Sequence, residues 1–176
     1  MKELNIKVAL VGHPNAGQST LFNALTGLRQ KTGNFPGVTV EQKSGTFRLT
    51  DSGTSSTTAT VVDLPGTYSI YPKSRDETVV MDILANPQHP DFPDVVVVVV
   101  DSSNLQRNLL LFTEISDLGI PAVLALNMLD VATSMNLTVN AVQLAMQLHV
   151  PVVKINARTG EGVGKLKEAV RQVSEI

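Results

Sequence analysis

The sequence predicts a three-layer α/β domain built on a mainly parallel six-stranded sheet with one antiparallel edge hairpin. Three observations predict it. Unbroken apolar runs, of which residues 95–100 (VVVVVV) are the purest, suit strands buried on both faces. Helical apolar spacing fills the stretches between those runs. Two further strand-like segments are joined by Asp51-Ser52-Gly53-Thr54-Ser55-Ser56, a turn-forming sequence that reads as a hairpin tip. With 176 residues, 43% of them hydrophobic, the chain is long enough to bury one sizeable core, and residues 1–176 read as one domain.

The elements follow in order. Residues 6–11 (IKVALV) form a strand that runs into Gly12-His13-Pro14-Asn15-Ala16-Gly17, and residues 19–25 (STLFNAL) then carry helical spacing. Residues 45–50 and 57–62 are the arms of the hairpin, and the Ser/Thr tract at 54–60 reads as its solvated tip. Beyond it come a helix at 76–84, the valine strand, a helix at 105–118 and a strand at 122–126. A helix at 139–148, a strand at 152–155 and a helix at 163–173 complete the alternation. Residues 29–43 and 67–75, rich in Gly, Pro, Ser, Thr and Tyr, are candidate mobile loops.

Composition excludes several function classes. Fourteen Lys and Arg against sixteen Asp and Glu leave no basic excess, so nucleic acid is not an expected partner. The absence of Cys removes thiol catalysis and cysteine zinc sites, and His13, His89 and His149 have no metal-ligand spacing. The valine run lies between Asp94 and Asp101 and is far shorter than the roughly 20 residues of a membrane helix. Met1-Lys2-Glu3-Leu4-Asn5 carries no apolar signal core, so a soluble, unexported chain is expected.

In open parallel sheets ligands sit beyond the carboxyl ends of strands, which directs attention to four segments. The first, Gly12 to Ser19, has the glycine spacing of a phosphate loop, in which backbone N–H groups and a helix N-terminus converge on phosphate oxygens. Ser19 would offer a hydroxyl to Mg²⁺. The position that normally holds a Lys against the β- and γ-phosphates is Gln18, a neutral amide that can donate a hydrogen bond but cannot balance charge. Alone, this loop is equally compatible with a tight structural turn.

The second segment, Asp63-Leu64-Pro65-Gly66, delivers a carboxylate suited to Mg²⁺ through water and a Gly66 N–H able to sense a γ-phosphate. In the third, Asn127-Met128-Leu129-Asp130, Asp130 can accept from the N1 and N2 groups of guanine while Asn127 ties the base loop to the phosphate loop. The fourth, Asn156-Ala157-Arg158-Thr159-Gly160, can present the Ala157 N–H to the guanine O6. The motifs are separated by 51, 64 and 29 residues, counted from Gly12 to Asp63, to Asn127 and to Asn156, which is the order and approximate spacing of a GTP-binding domain.

On these motifs the chain resembles the cytosolic G domain at the N-terminus of the bacterial ferrous iron transport protein B family. The likeness also rests on residues 32–41 (TGNFPGVTVE), 63–69 (DLPGTYS) and 101–109 (DSSNLQRNL), and on Met128 within Asn-Met-Leu-Asp. It implies a Ras-like P-loop fold and a nucleotide-binding set of Gly12, Asn15, Ala16, Gly17, Gln18, Ser19, Thr20, Asn127, Asp130, Asn156, Ala157 and Arg158. It further implies that Thr39 ligates Mg²⁺ and closes over the γ-phosphate, beside Ser19 and Asp63, and that Asn15 helps ligate K⁺. Asn15, Thr39 and Gly66 would then carry catalysis.

Thr67 stands where Ras-like enzymes place a water-positioning Gln, so slow hydrolysis is expected. Asp76 and Glu77 read as helix-dipole partners and not as a replacement, and His13 reads as a solvent-facing filler. The resemblance implies GTP and GDP as ligands and a place on the cytoplasmic face of the bacterial inner membrane. It also implies a helical domain and a transmembrane Fe²⁺ permease elsewhere in a longer chain, with no iron chemistry in this fragment. A homo-oligomer stays open. So does the alternative of a nucleotide-binding switch whose phosphate binding Gln18 has impaired.

Overall fold

The computed structural model describes residues 4–49 and 56–175. Its elements are β1 (Leu4–Gly12), α1 (Gln18–Thr26), β2 (Gln30–Asn34), β3 (Glu41–Arg48), β4 (Thr57–Asp63), α2 (Arg75–Leu84) and β5 (Val95–Asp101). A 3-10 turn, Ser102–Asn104, leads into α3 (Leu105–Ser116), followed by β6 (Ala122–Asn127), α4 (Leu129–Ser134), α5 (Ala141–Leu148), β7 (Val152–Lys154) and α6 (Val163–Ser174). The strands form one sheet in the order β2-β3-β4-β1-β5-β6-β7. β4, β1, β5, β6 and β7 run parallel, and β3 lies antiparallel to both β4 and β2.

The valine run shows why a parallel sheet needs unbroken apolar strands. Val95, Val97 and Val99 point into the core shared with Leu21, Phe22 and Leu25 of α1 and Leu166 and Val170 of α6. Val96, Val98 and Val100 point the other way, against Val80, Ile83 and Leu84 of α2 and Leu111, Phe112 and Ile115 of α3. A period of two over a sheet covered on both faces leaves no solvent-facing position for a polar residue. Each fully buried valine contributes on the order of 1.5–3 kcal/mol relative to exposure.

Among the described residues the sheet has seven strands, one more than the sequence predicts. The additional strand is β2, within residues 29–43, and the next strand already begins at Glu41, so only residues 35–40 remain as loop. β2 is an edge strand of sequence QKTGN with almost every side chain exposed; it is held by its ladder to β3, from Gln30 opposite Gly45 to Asn34 opposite Glu41. Such a segment carries no apolar alternation for a sequence reading to detect. α4 was likewise unpredicted, six residues being too few to establish a helical period. Most of the expected hairpin tip, 50–55, lies outside the described residues.

Residues 67–74 are irregular, as predicted, but they are anchored: Ile70 is buried in the second core and Thr67 is fully buried. α2 starts at a Ser74 cap whose Oγ accepts from Glu77 N at 3.3 Å, and Asp76 and Glu77 occupy its first turn, favourable partners of the dipole. Among the described residues no helix is long and apolar enough to cross a membrane.

Parallel register decides where the site sits. Leu10 is opposite Asp63, Gly12 opposite Val99, and Asp101 opposite Asn127. With Leu126 opposite Lys154, the carboxyl ends of β1, β4, β6 and β7 bring the four predicted segments to one edge of the sheet.

Candidate functional site

Among the described residues, two adjoining cavities sit at that edge. One, of about 570 Å³, is lined by His13, Pro14, Asn15, Gly17, Gln18, Ser19, Thr20, Leu64, Gly66 and Met128. The other, of about 270 Å³, is lined by Gly17, Thr20, Asn127, Met128, Asp130, Val131, Asn156, Ala157 and Arg158. Gly17, Thr20 and Met128 belong to both, so the phosphate-loop cavity and the base-loop cavity adjoin. The linings gather the predicted residues Asn15, Gln18, Ser19, Asp130, Asn156, Ala157 and Arg158 from segments far apart in sequence.

The phosphate loop is shaped by its backbone. Ala16 N donates to His13 O at 3.2 Å and Asn15 adopts a left-handed φ of 67°. Gly17 has φ 95°, and a Cβ there would lie 2.2 Å from Asn127 Nδ2, so only glycine fits. Gly12 is fixed from the other side, its carbonyl accepting from Thr67 N at 3.0 Å. Gly66 packs on Pro14, whose Cα would stand 3.1 Å from an added Cβ.

Asn127 is the joint between the two cavities. It is buried; its Nδ2 donates to Ala16 O at 3.0 Å and its Oδ1 accepts from Ala157 N at 3.2 Å. The expected tie between base loop and phosphate loop is thus made. The Ala157 N–H, expected to face a guanine O6, is spent on Asn127 in this structure. Asn156 shapes its own loop, its Oδ1 accepting from Arg158 N and Thr159 N at 3.1 and 3.2 Å. Asp130 is half exposed and pairs with Arg158 Nη2 at 3.2 Å across the base cavity.

Gln18 is buried at 7% exposure, with Nε2 within hydrogen-bond distance of Leu10 O (2.9 Å), Asp63 Oδ1 (2.7 Å) and Leu64 O (2.5 Å). Its Oε1 is buried without a partner. Asp63 Oδ2 accepts from Ser19 Oγ at 3.2 Å. Burial pushes the Asp63 carboxyl above its ordinary range, opposed by the hydrogen bonds from Gln18 and Ser19 and by the charge of Lys43. The Ser19 hydroxyl and Asp63 carboxylate are hard oxygen donors side by side, a set that fits Mg²⁺; Asn15 lines the same cavity and carries an amide oxygen of the kind that suits a monovalent cation.

Thr39 does not line either cavity. It is exposed in the 35–40 loop, which closes through Phe35 N to Val40 O at 3.0 Å and is pinned by buried Phe35. Thr67 turns its hydroxyl to Ser69 O at 2.6 Å.

His13 corrects an expectation. It is not solvent-facing but 6% exposed, with its ring edge-on to Tyr68 at 5.0 Å and Arg107 over the far ring at 5.2 Å. Burial, and then the Arg107 charge, lower its pKa. Sequence reasoning also missed Glu114 of α3, which accepts from Ser69 Oγ at 2.7 Å and from Ile70 N at 2.9 Å. A lone acid in an amphipathic helix gives no signal; only packing of α3 beneath residues 67–71 reveals it.

Comparison with known proteins agrees with this geometry. The family model described as "Ferrous iron transport protein B" matches residues 6–170. The Fe(2+) transporters FeoB of Escherichia coli and Salmonella typhimurium are each 43% identical over 170 residues, which is 97% of this chain and 21% of theirs. The chain therefore spans about a fifth of the length of these relatives.

Solved structures extend the likeness to the backbone. The G domain of the T. maritima FeoB iron transporter is 39% identical with a TM-score of 0.85, covering 97% of this chain and 99% of that one. A mutant S. thermophilus NFeoB bound to GDP is 38% identical with a TM-score of 0.83, covering 98% of this chain and 63% of that one. The chain belongs to the ferrous iron transport protein B family and has the Ras-like α/β architecture of that family's G domain.

Proposed function

We propose that this domain binds Mg²⁺-GTP and GDP, hydrolyses GTP slowly, and reports its nucleotide state to a ferrous iron permease within a longer chain. The observation that carries the reading is the Asn127 bridge, which couples a base cavity holding Asp130 to a phosphate loop holding Ser19. Only guanine presents the paired N–H groups that Asp130 can accept. GDP bound to the S. thermophilus relative supports the same assignment here.

In this reading Ser19 and Asp63 would hold Mg²⁺, joined by Thr39 when the 35–40 loop closes over the nucleotide, and the ion would supply charge neutralisation at the phosphates. Asn15 contributes to K⁺ binding, Gly66 senses the γ-phosphate, and the 35–40 and 66–71 segments respond to nucleotide. The helical and transmembrane domains of the full-length family members are the partners, and the domain works at the cytoplasmic face of the bacterial inner membrane.

A second reading, a nucleotide-binding switch with little catalysis, is favoured by one observation. Among the described residues, the cavity holding Gln18 and Ser19 is lined by no Lys or Arg. Losing a charged hydrogen bond at the phosphates costs about 1.5–3 kcal/mol, or roughly ten- to a hundredfold in affinity.

Phosphate release from GTP, measured in KCl and in NaCl together with GDP and GTP-analogue affinities, separates the readings. Slow turnover faster in KCl supports the first; equal rates in the two salts remove the K⁺ role. Nucleotide binding without turnover in either salt favours the second.

A further inference from the structure

We infer that Gln18 is a positioning residue for Asp63 and not a phosphate ligand: its amide aims the carboxylate at Ser19 and keeps a divalent-cation site assembled in a loop without lysine. The inference rests on the nucleotide-binding reading and goes beyond it by giving Gln18 a role.

The hydrogen-bond geometry carries it. An amide nitrogen has two hydrogens, yet Gln18 Nε2 faces three acceptors, Leu10 O, Asp63 Oδ1 and Leu64 O. No hydrogen is left over for a phosphate oxygen. Reversing the amide would set Oε1 against three acceptors, so the side chain has one sensible orientation. The pocket has the donor requirement of an ammonium group, and Gln18 meets it short by one hydrogen, with its Oε1 stranded.

To reach a phosphate, Gln18 would abandon three acceptors; Leu10 O keeps its bond from Leu64 N at 3.1 Å, so the desolvation penalty falls on Asp63 Oδ1 and Leu64 O. Where it stands, Gln18 restrains one carboxylate oxygen while Ser19 Oγ holds the other. The two restraints fix the rotation of Asp63.

The test is a titration of the domain with fluorescent GDP across a Mg²⁺ series and in EDTA, for wild type, Gln18→Met, Gln18→Lys, Asp63→Asn and the Gln18→Met/Asp63→Asn double variant. Removing the donor in Gln18→Met is expected to raise the half-saturating Mg²⁺ concentration about tenfold, the scale of one charge-assisted hydrogen bond, while GDP affinity in EDTA stays within about twofold. That shift is expected to vanish in the Asp63→Asn background. Gln18→Lys, which supplies all three hydrogens, is expected to keep the Mg²⁺ midpoint at or below wild type, and it tests the same pocket if Gln18→Met fails to fold.

Equal weakening of GDP binding by Gln18→Met in EDTA and in Mg²⁺ would make Gln18 a direct phosphate ligand and overturn the inference. So would an unshifted Mg²⁺ midpoint, or a raised midpoint in Gln18→Lys. A wild-type domain that binds no GDP overturns the nucleotide reading itself, whereas GDP binding without the Mg²⁺ shift overturns this inference alone.

Discussion

Asn127 and Ala16, 111 positions apart, are joined by a buried 3.0 Å hydrogen bond from the Asn127 amide to the Ala16 carbonyl. The same side chain accepts from Ala157 N, so one residue locks three loops at the carboxyl edge of the sheet. Asn127→Ala leaves a carbonyl and an N–H without their partner. We expect a loss of about 2–6 kcal/mol, from two unsatisfied buried groups at 1–3 kcal/mol each, in urea denaturation. GDP affinity is expected to fall with it.

Gly17 and Gly164 make opposite predictions. Gly17→Ala forces a Cβ against Asn127 Nδ2 at a φ that L residues rarely adopt, and is expected to cost about 1–3 kcal/mol and to abolish nucleotide binding. Gly164 lies inside α6 with nothing within 4 Å of an added Cβ. Gly164→Ala is expected to stabilise by about 0.5–1 kcal/mol through helix propensity. Thermal melts of the two variants check both signs.

His13 gives the domain an acid sensitivity. Its pKa is lowered in the folded state, chiefly by burial, below the ordinary 6.5. Between the lowered value and 6.5 the unfolded chain binds more protons, so stability falls as pH drops through that window. Asp63, whose pKa is raised by burial, acts in the opposite sense at lower pH, where the folded state takes up the extra proton. Stability measured from pH 7 downward is expected to decline in wild type and to decline less in His13→Asn.

Glu114 restrains the 67–71 segment through Ser69 Oγ and Ile70 N. Glu114→Ala is expected to cost about 1.5–3 kcal/mol, the scale of hydrogen bonds to a charged group. Hydrogen exchange at Ile70 and Tyr71 is expected to accelerate while exchange in β5 changes only with global stability.

The legible part of this protein was the part written in periodicity and in loops that follow strands. The valine strand, the hairpin arms of β3 and β4, and the motifs at Gly12, Asp63, Asn127 and Asn156 are local patterns, and the sheet collects them. β2 escaped because its stability comes from a partner ladder and not from its own QKTGN sequence. The inward turn of Gln18, the burial of His13 and the grip of Glu114 are three-dimensional facts with no spacing to announce them. His13 shows the limit well: its neighbours Tyr68 and Arg107 come from other elements and meet only in the fold.

The most direct test of guanine-nucleotide binding at this edge is displacement of fluorescent GDP, in Mg²⁺, by unlabelled GDP and by ADP. In the proposed reading Asp130 would accept the paired N–H groups of guanine, and adenine offers no N1–H donor. GDP is expected to displace the probe at concentrations where ADP leaves it bound. Displacement by ADP as readily as by GDP, or no binding of the probe at millimolar concentration, would contradict the account.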